Sequence, residues 1–437
     1  MKLIINKFPP ITGRCEIDLS KKLTLFVGHN NSGKTYISQL IWGIYDINVA
    51  EYLGNNLTQT EPIWDGKDTL ISFTEKHLVN LSNKIGLALK LKIQHIFKYE
   101  IDYDYSIEIT QEEIMNLKIN LDRPYGVGFK ISKQKGSMEF KLQVLDKEDE
   151  FLFNKSETFE AVLISELLQE SLFLPSSRLF FPSFYKYIFN TEKNFKDDMY
   201  KNLEKLDDKN KKFYAPSYTQ PVDDLIQKLI FSLDKPLDTN QYLEKLAKII
   251  EGNISVDRAE AIAMADISYN HKSGENIPMY LSSSMVNQLS TLYLYFKYWM
   301  EKKDNFLIID EPEMNLHPAK KIEVLELLMH FASENKLLMA THSNTLAKSI
   351  INYLHLFDLR DKGVDTKAFI EENELEMDSE INLSSNDIGI YYFNGKTIVP
   401  YKYDNDSNIH FGTFSEVEEL QSMQFEYIMD ELESNDA

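Results

Sequence analysis

The chain has 437 residues, of which 43% are hydrophobic and 26% charged, and its formal net charge is −21. This composition is typical of a globular protein, and the length allows two or three domains. Such an acidic chain is unlike proteins that coat nucleic acid, so contact with DNA would need a local basic patch. The single cysteine, Cys15, excludes an internal disulfide and a cysteine-based zinc site. No apolar run is long enough for a membrane span, and with a single cysteine a reducing cytoplasm is the expected location.

A phosphate-binding loop is predicted near the N-terminus, between a strand and a helix. Residues 28–35 read G-H-N-N-S-G-K-T, which matches the P-loop pattern G-x-x-x-x-G-K-T. The apolar run 23–27 predicts a buried strand before it, and apolar positions at helical spacing predict a helix over 36–45. Lys34 would reach the β- and γ-phosphates and Thr35 would hold Mg²⁺. The other nucleotide contacts expected in the loop are Asn30, Asn31, Ser32 and Gly33.

The middle of the chain predicts two insertions. Alternating apolar and polar residues, as over 99–109, predict an antiparallel sheet within about 87–153. Residues 191–254 are strongly charged with spaced apolar positions, and they predict a helical arm or lid that prolines divide. Between the insertions, the apolar strand 172–174 leads to Arg178. Two roles for Arg178 are equally open: it contacts the nucleotide, or it pairs with an acid within the fold.

A second nucleotide element is predicted at residues 306–311. The apolar run 306–309 predicts a buried strand, and Asp310 and Glu311 follow it at the sheet edge where ligands bind in α/β folds. Asp310 would hold Mg²⁺, and Glu311 would activate the attacking water as general base. The alternative interpretation is that Asp310 and Glu311 are only two solvated acids at a strand end, and the presence of the P-loop strongly disfavours it.

The last third of the chain completes the predicted head. A helix begins near residues 282–285, with Ser282 or Ser283 as its N-cap. The apolar strand 336–340 ends in Thr341-His342-Ser343, and a strand pair surrounds Asn394-Gly395. Residues 1–190 and 255–410 are therefore expected to form one head, and 411–437 an acidic C-terminal helix or tail.

Together these motifs resemble the ABC-type ATPases of the RecF, SMC, Rad50 and OLD group. The resemblance lies in the P-loop, in D-E-P-E-M-N-L-H-P at 310–318 as Walker B and D-loop, in A-T-H-S at 340–343 as the switch-histidine strand, and in 281–285 where the ABC signature belongs. It covers residues 1–48 and 260–360. The implied fold class is α/β, an ABC-type P-loop ATPase head with a mixed sheet and flanking helices, to which the antiparallel sheet and short helical arm are added.

The resemblance also implies a mechanism. Two copies would meet head to tail with ATP and Mg²⁺ between them, and Ser283 and Ser284 of one copy would contact the γ-phosphate held by the other. His342 would sense that phosphate, and a plain core histidine is the alternative. The signature is Ser-Ser-Ser instead of Ser-Gly-Gly, which implies slow turnover because the backbone can approach less freely. His317, before Pro318, is interpreted as a helix-entry residue in preference to a metal ligand.

The nearest functional resemblance is to stand-alone anti-phage defence ATPases, of the PARIS type first and the Septu type second. It implies a homo-oligomer that controls a separate effector, a Toprim-like nuclease toxin, in response to a viral trigger protein. Asp404-Asn405-Asp406 has a Toprim-like local pattern, but its polar surroundings favour a turn. The alternative is a RecF-like DNA-repair clamp that uses lysines in 90–98 or 205–212, although these stretches favour solvated helix faces. An ABC transport subunit is disfavoured by the signature and the long insertion.

Overall fold

The computed structural model describes residues 1–47, 63–64, 67–145, 155–168, 170–202, 218–258, 264–301, 304–401 and 423–425. The strands in these residues are β1 (Lys2–Lys7), β2 (Cys15–Asp18), β3 (Leu23–Gly28), β4 (Thr69–Ser72), β5 (Asp104–Glu108), β6 (Ile119–Asp122), β7 (Phe129–Lys133), β8 (Glu139–Val144), β9 (Ser171–Leu174), β10 (Gly252–Asp257), β11 (Asp266–His271), β12 (Asn276–Pro278), β13 (Phe306–Asp310), β14 (Lys336–Thr341), β15 (Ile388–Phe393) and β16 (Ile398–Pro400).

The α-helices of the same residues are α1 (Lys34–Tyr45), α2 (Glu75–Phe97), α3 (Gln111–Asn116), α4 (Lys155–Leu167), α5 (Phe181–Asn202), α6 (Gln220–Phe231), α7 (Gln241–Ile249), α8 (Ser284–Leu294), α9 (Pro318–Glu334), α10 (Asn344–Asp361) and α11 (Thr366–Glu372). A 3₁₀ turn, Ser176–Phe180, joins β9 to α5. In the described part, none of the helices combines the length and the apolar character that crossing a membrane requires.

The central sheet brings three predicted motifs to one edge. Its strand order is β16-β15-β3-β14-β13-β9, and all strands but β16 run parallel. Strands β3, β13 and β14 are almost wholly buried, as expected for a parallel sheet covered by helices. Since these three neighbours are parallel, their carboxyl ends place the P-loop, Asp310 and Thr341 side by side.

Antiparallel sheets are added to this core, as expected, but with different members. The inserted sheet has the order β4-β8-β7-β6, whereas β5 pairs with β1 in the separate sheet β2-β1-β5. Residues 75–97 form α2, so the sheet does not fill the predicted range 87–153. Within the alternating run 99–109, only Asp104–Glu108 is a strand, and its Tyr105 and Ile107 are buried. Alternation identified the buried face of this strand, but it carries no information about the partner strand.

The helices predicted for residues 191–254 lie in part on the head. Helix α6 contacts β9, α2 and α5, and its Leu225 and Leu229 are fully buried. Helix α7 contacts α9 and buries Leu246. These helices bury an apolar stripe against the head, as amphipathic helices do. The tail 411–437 and Asp404–Asp406 lie outside the described residues, apart from the exposed helical turn 423–425.

A buried ion pair between α2 and α4 gives a test of the inserted region's stability. The side chains of Lys84 and Glu160 are paired and only 4% and 3% exposed, and the Ile63 amide donates to the same carboxylate. Lys84→Met should lower the free energy of unfolding by about 3–5 kcal/mol, because Glu160 then stays buried without its countercharge. Urea denaturation measures the change. The control Lys362→Met removes an exposed pair with Asp358 and should cost less than about 1 kcal/mol; equal losses would contradict the prediction.

Candidate nucleotide-binding site

The P-loop joins β3 to α1 at the carboxyl edge of the central sheet. Gly28 has φ of +152°, and a Cβ there would lie 2.2 Å from the Phe393 carbonyl oxygen. Gly33 has φ of +99°, and a Cβ there would lie 2.7 Å from the Pro10 ring. Both positions therefore require glycine. The loop follows a path that leaves its backbone open to a ligand at the N-terminus of α1.

Lys34 places a cation inside this loop. The side chain is buried, and Nζ donates to the carbonyl oxygens of Gly28 and His29 at 2.8 and 2.7 Å. Burial lowers the pKa of Lys34, while the carboxylates of Asp310 and Glu311 act in the opposite direction. A buried ammonium beside the N-terminus of a helix is an arrangement that binds phosphate.

The two predicted magnesium ligands are in contact. Thr35 Oγ1 donates to Asp310 Oδ2 at 2.6 Å. Asp310 is 3% exposed, and this burial raises its pKa to about 6, against the lowering effects of the Thr35 hydroxyl, Arg178 and Lys34. A hydroxyl and a carboxylate are oxygen donors that suit Mg²⁺, which takes few protein ligands and completes its shell with phosphate and water. Across the described ranges no group of three or more His, Cys, Asp or Glu side chains is placed to hold a metal.

Glu311 and His342 form an ion pair at the mouth of the site. His342 Nδ1 lies 3.0 Å from Glu311 Oε1, and the histidine side chain is 45% exposed, so it is not a core residue. The hydrogen bond from His342 is the main cause that lowers the pKa of Glu311, and it also raises the pKa of His342. A carboxylate that stays ionised near neutral pH can accept a proton from water.

Arg178 lies behind the site and does not contact the cavity. Its guanidinium is completely buried, which lowers its pKa to about 10. It donates to the backbone carbonyls of Pro175, Asp310, Glu311 and Gln288 at 3.0, 2.6, 3.0 and 3.2 Å. The sequence leaves open a contact with nucleotide and an ion pair with an acid. The geometry shows neither, because the guanidinium donates to backbone carbonyls.

The predicted signature lies on the surface. Ser283 is the N-cap of α8, and its hydroxyl accepts from the Val286 amide at 3.2 Å. Ser283 and Ser284 are both exposed. Tyr280 and Leu281, just before them, are 68% and 67% exposed. Neither serine lines the cavity at the P-loop of its own chain. His317 is the residue before α9, with Pro318 at the first helical position, as predicted.

The P-loop opens into a cavity of about 670 Å³. Its lining joins residues 30–35 with Asp310, Glu311 and His342, which are far apart in sequence. The cavity has three further lining residues that the sequence motifs do not predict, Pro9, Pro10 and Tyr36. The Tyr36 ring is 51% exposed and stacks on Phe97 with centroids 5.8 Å apart. An aromatic residue directly after Thr35 was the available signal for it.

A family model described as an AAA ATPase domain matches residues 1–347. The chain belongs to this family, AAA_15. The predicted fold class, an α/β ABC-type P-loop ATPase head with a mixed sheet and added antiparallel strands, is confirmed. Membership also supports nucleotide binding and ATPase activity in general.

The chain was also compared with curated proteins and with solved structures. No curated protein matches the chain. Among solved structures, an SMC head bound to the C-terminal winged-helix domain of ScpA has 11% identity and a TM-score of 0.39, covering 93% of this chain and 99% of that chain. The SMC head domain from Thermotoga maritima has 13% identity and a TM-score of 0.31, covering 92% and 98%. A Pyrococcus furiosus Smc head bound to the C-terminal domain of ScpA has 11% identity and a TM-score of 0.36, covering 96% and 98%.

Proposed function

We propose that the chain is an ATPase that encloses each nucleotide between two copies of itself. The observation that carries this proposal is the exposure of Ser283 and Ser284 at the start of α8, outside the cavity that holds their own P-loop. A helix N-terminus attracts anions, so these serines would contact the γ-phosphate bound by another copy. Lys34 would hold the phosphates, Thr35 and Asp310 would hold Mg²⁺, and Mg²⁺ would neutralise charge on the transferred phosphate.

Hydrolysis would begin at Glu311. Its carboxylate would accept a proton from the attacking water, and His342 would keep the carboxylate ionised and oriented. The serines in place of signature glycines restrict the approach of the backbone, so turnover would be slow. ATP binding would therefore drive head-to-tail assembly, and hydrolysis would release it.

An arginine in the signature tests the shared site. Ser284→Arg should prevent ATP-dependent dimerisation because a bulky side chain at the helix N-terminus blocks the partner's nucleotide, while each chain still binds ATP. Light scattering after size-exclusion chromatography, with and without ATP and Mg²⁺, measures the mass. Gln111→Arg is the control, since Gln111 is also exposed at the first position of a capped helix. A dimer that persists in Ser284→Arg would refute the shared site.

The biological role that we propose is regulation of an anti-phage effector. In this role the ATP-bound oligomer would hold a separate effector protein, a Toprim-like nuclease, until a viral trigger protein arrives. The support is the motif resemblance to stand-alone defence ATPases together with the net charge of −21, which favours a protein partner over DNA. The partner can be identified by testing whether the product of the neighbouring open reading frame co-purifies with this chain.

A phage challenge tests this role. Bacteria that carry the chain and its neighbouring gene should resist infection, and Lys34→Ala should abolish resistance. Resistance that requires Lys34 and the neighbour supports regulation of an effector. Equal plaque counts with and without the system, over a broad phage panel, would contradict the defence role while leaving the ATPase intact.

A DNA-repair clamp remains the second candidate, and the lysines in and just after α2 weaken it. Lys92 is buried and paired with Asp46, and Lys98 lies 3.7 Å from Asp223. Lysines 205–212 lie outside the described residues. If the chain clamps DNA, binding in the presence of ATP should weaken steeply as salt rises. Tight salt-sensitive binding would favour the clamp over the effector regulator.

A further inference from the structure

We propose that Arg178 is a positioning residue that fixes the Asp310–Glu311 turn against the signature helix α8. This inference rests on the proposed role of Glu311 as general base. Arg178 would act through Glu311, since it donates to the backbone of the turn and does not line the nucleotide cavity.

The turn that Arg178 holds is strained. Glu311 has φ of +48°, a left-handed conformation that costs a residue with a side chain about 1 kcal/mol or more. Two consecutive carbonyls of this turn, of Asp310 and Glu311, accept from Nη1 and Nη2 of Arg178. The Glu311 amide donates to the Ala340 carbonyl at 2.7 Å. Rotation of either peptide plane would leave a buried donor unpaired, so the bonds fix the direction of the Glu311 side chain.

The same guanidinium contacts the signature helix. Arg178 Nε donates to the Gln288 carbonyl at 3.2 Å, and with its amide oriented to match, Gln288 Oε1 accepts from Nη1 and Nη2 at 3.3 and 2.7 Å. Gln288 is fully buried and lies one helical turn after Ser284. The 3₁₀ turn that carries Arg178 also packs along α8. One buried side chain thus joins the proposed partner-facing helix to the proposed general base.

The chemistry requires arginine at this point. A guanidinium offers five N–H donors in a fixed plane, and here they reach four backbone carbonyls in different directions. A lysine ammonium keeps the charge but offers three donors from a single atom. We therefore expect that Lys at 178 preserves the charge of the site and loses the alignment of the turn.

A double-mutant cycle in kcat tests the assignment. Arg178→Lys should lower kcat by about 10²-fold, as expected for a misplaced catalytic group, without a change in ATP affinity. In a Glu311→Gln background the same substitution should cost no further activity, because Arg178 acts through Glu311. Gln288→Met, a smaller change, should lower kcat roughly tenfold by removing an acceptor for the charged group. Phosphate release gives kcat, and fluorescence titration with a labelled ATP analogue gives affinity.

Arg360→Lys is the matched control. Arg360 also donates to two backbone carbonyls, those of Ile381 and Leu383, but lies on α10 away from the cavity. Its substitution should leave kcat unchanged. Unchanged kcat in Arg178→Lys, or a loss that multiplies with that of Glu311→Gln, would overturn the inference. If Arg178→Lys does not fold, Gln288→Met decides by the same criterion. Absence of turnover in the unsubstituted chain would instead refute the proposed function.

Discussion

The Glu311→Gln protein is expected to bind ATP and to lose hydrolysis by about 10²–10⁴-fold, the usual contribution of a general base. Glutamine has the shape of glutamate but cannot accept the proton of the attacking water. It can still accept a hydrogen bond from His342 Nδ1, which lies 3.0 Å from Glu311 Oε1 in the unsubstituted chain. The substitution should therefore leave the cavity intact and prolong the ATP-bound state.

Two measurements check this expectation. Phosphate release measures the loss of turnover, and light scattering shows whether ATP now traps the proposed oligomer. Glu313→Gln is the control. Glu313 lies in the same segment, but it is buried behind the cavity and accepts a hydrogen bond from the Thr341 hydroxyl. Turnover that survives in Glu311→Gln would show that another group activates the water.

Lys34→Ala should abolish measurable ATP binding. Truncating one partner of a buried charge pair costs about 2–5 kcal/mol, and each 1.4 kcal/mol is about tenfold in affinity. The acids of the Asp310–Glu311 turn stabilise the Lys34 ammonium electrostatically, so its removal also makes the site more negative. Phosphate would then enter a site that repels it.

Isothermal titration with ATP and Mg²⁺ measures this loss. The control is Lys21→Ala. Lys21 lies just before β3, is partly exposed, and also donates to a backbone carbonyl, that of Asn386. Its replacement should leave ATP affinity unchanged. If Lys34→Ala kept its affinity for ATP, the P-loop would not be the nucleotide site.

The parts of the site that could be predicted are those encoded by short contiguous patterns. The P-loop and the Asp310-Glu311 pair each follow an apolar run, and parallel strands bring the ends of such runs to one edge. That rule alone predicts that Thr35 lies near Asp310, and the two side chains are hydrogen-bonded. Local sequence also limits the N-cap of α8 to Ser282 or Ser283, because capping depends on a few adjacent residues, and the structure shows that it is Ser283.

The parts that escaped prediction depend on contacts between distant residues. Arg178 bonds to carbonyls of residues more than one hundred positions away, and backbone carbonyls leave no signature in a sequence. Likewise, alternation showed which face of β5 is buried, but not that β1 is its partner. Apolar spacing indicates that α6 is a helix. It does not show that α6 packs on β9, because that contact depends on the position of β9 in the sheet.

Strand β15 extends the nucleotide-binding sheet beyond the region that the family model matches. The family match ends at residue 347, yet β15 (Ile388–Phe393) pairs with β3, and its Phe393 carbonyl packs directly against Gly28. A fragment that stopped after the matched region would keep every predicted nucleotide-binding motif and expose the P-loop strand as an unpaired edge, which invites aggregation. Expression for biochemistry should therefore extend through residue 400. Strand β16 pairs with β15, and β15 pairs with the strand that leads into the P-loop, so residues 398–400 are linked to the nucleotide site by two successive strand pairings.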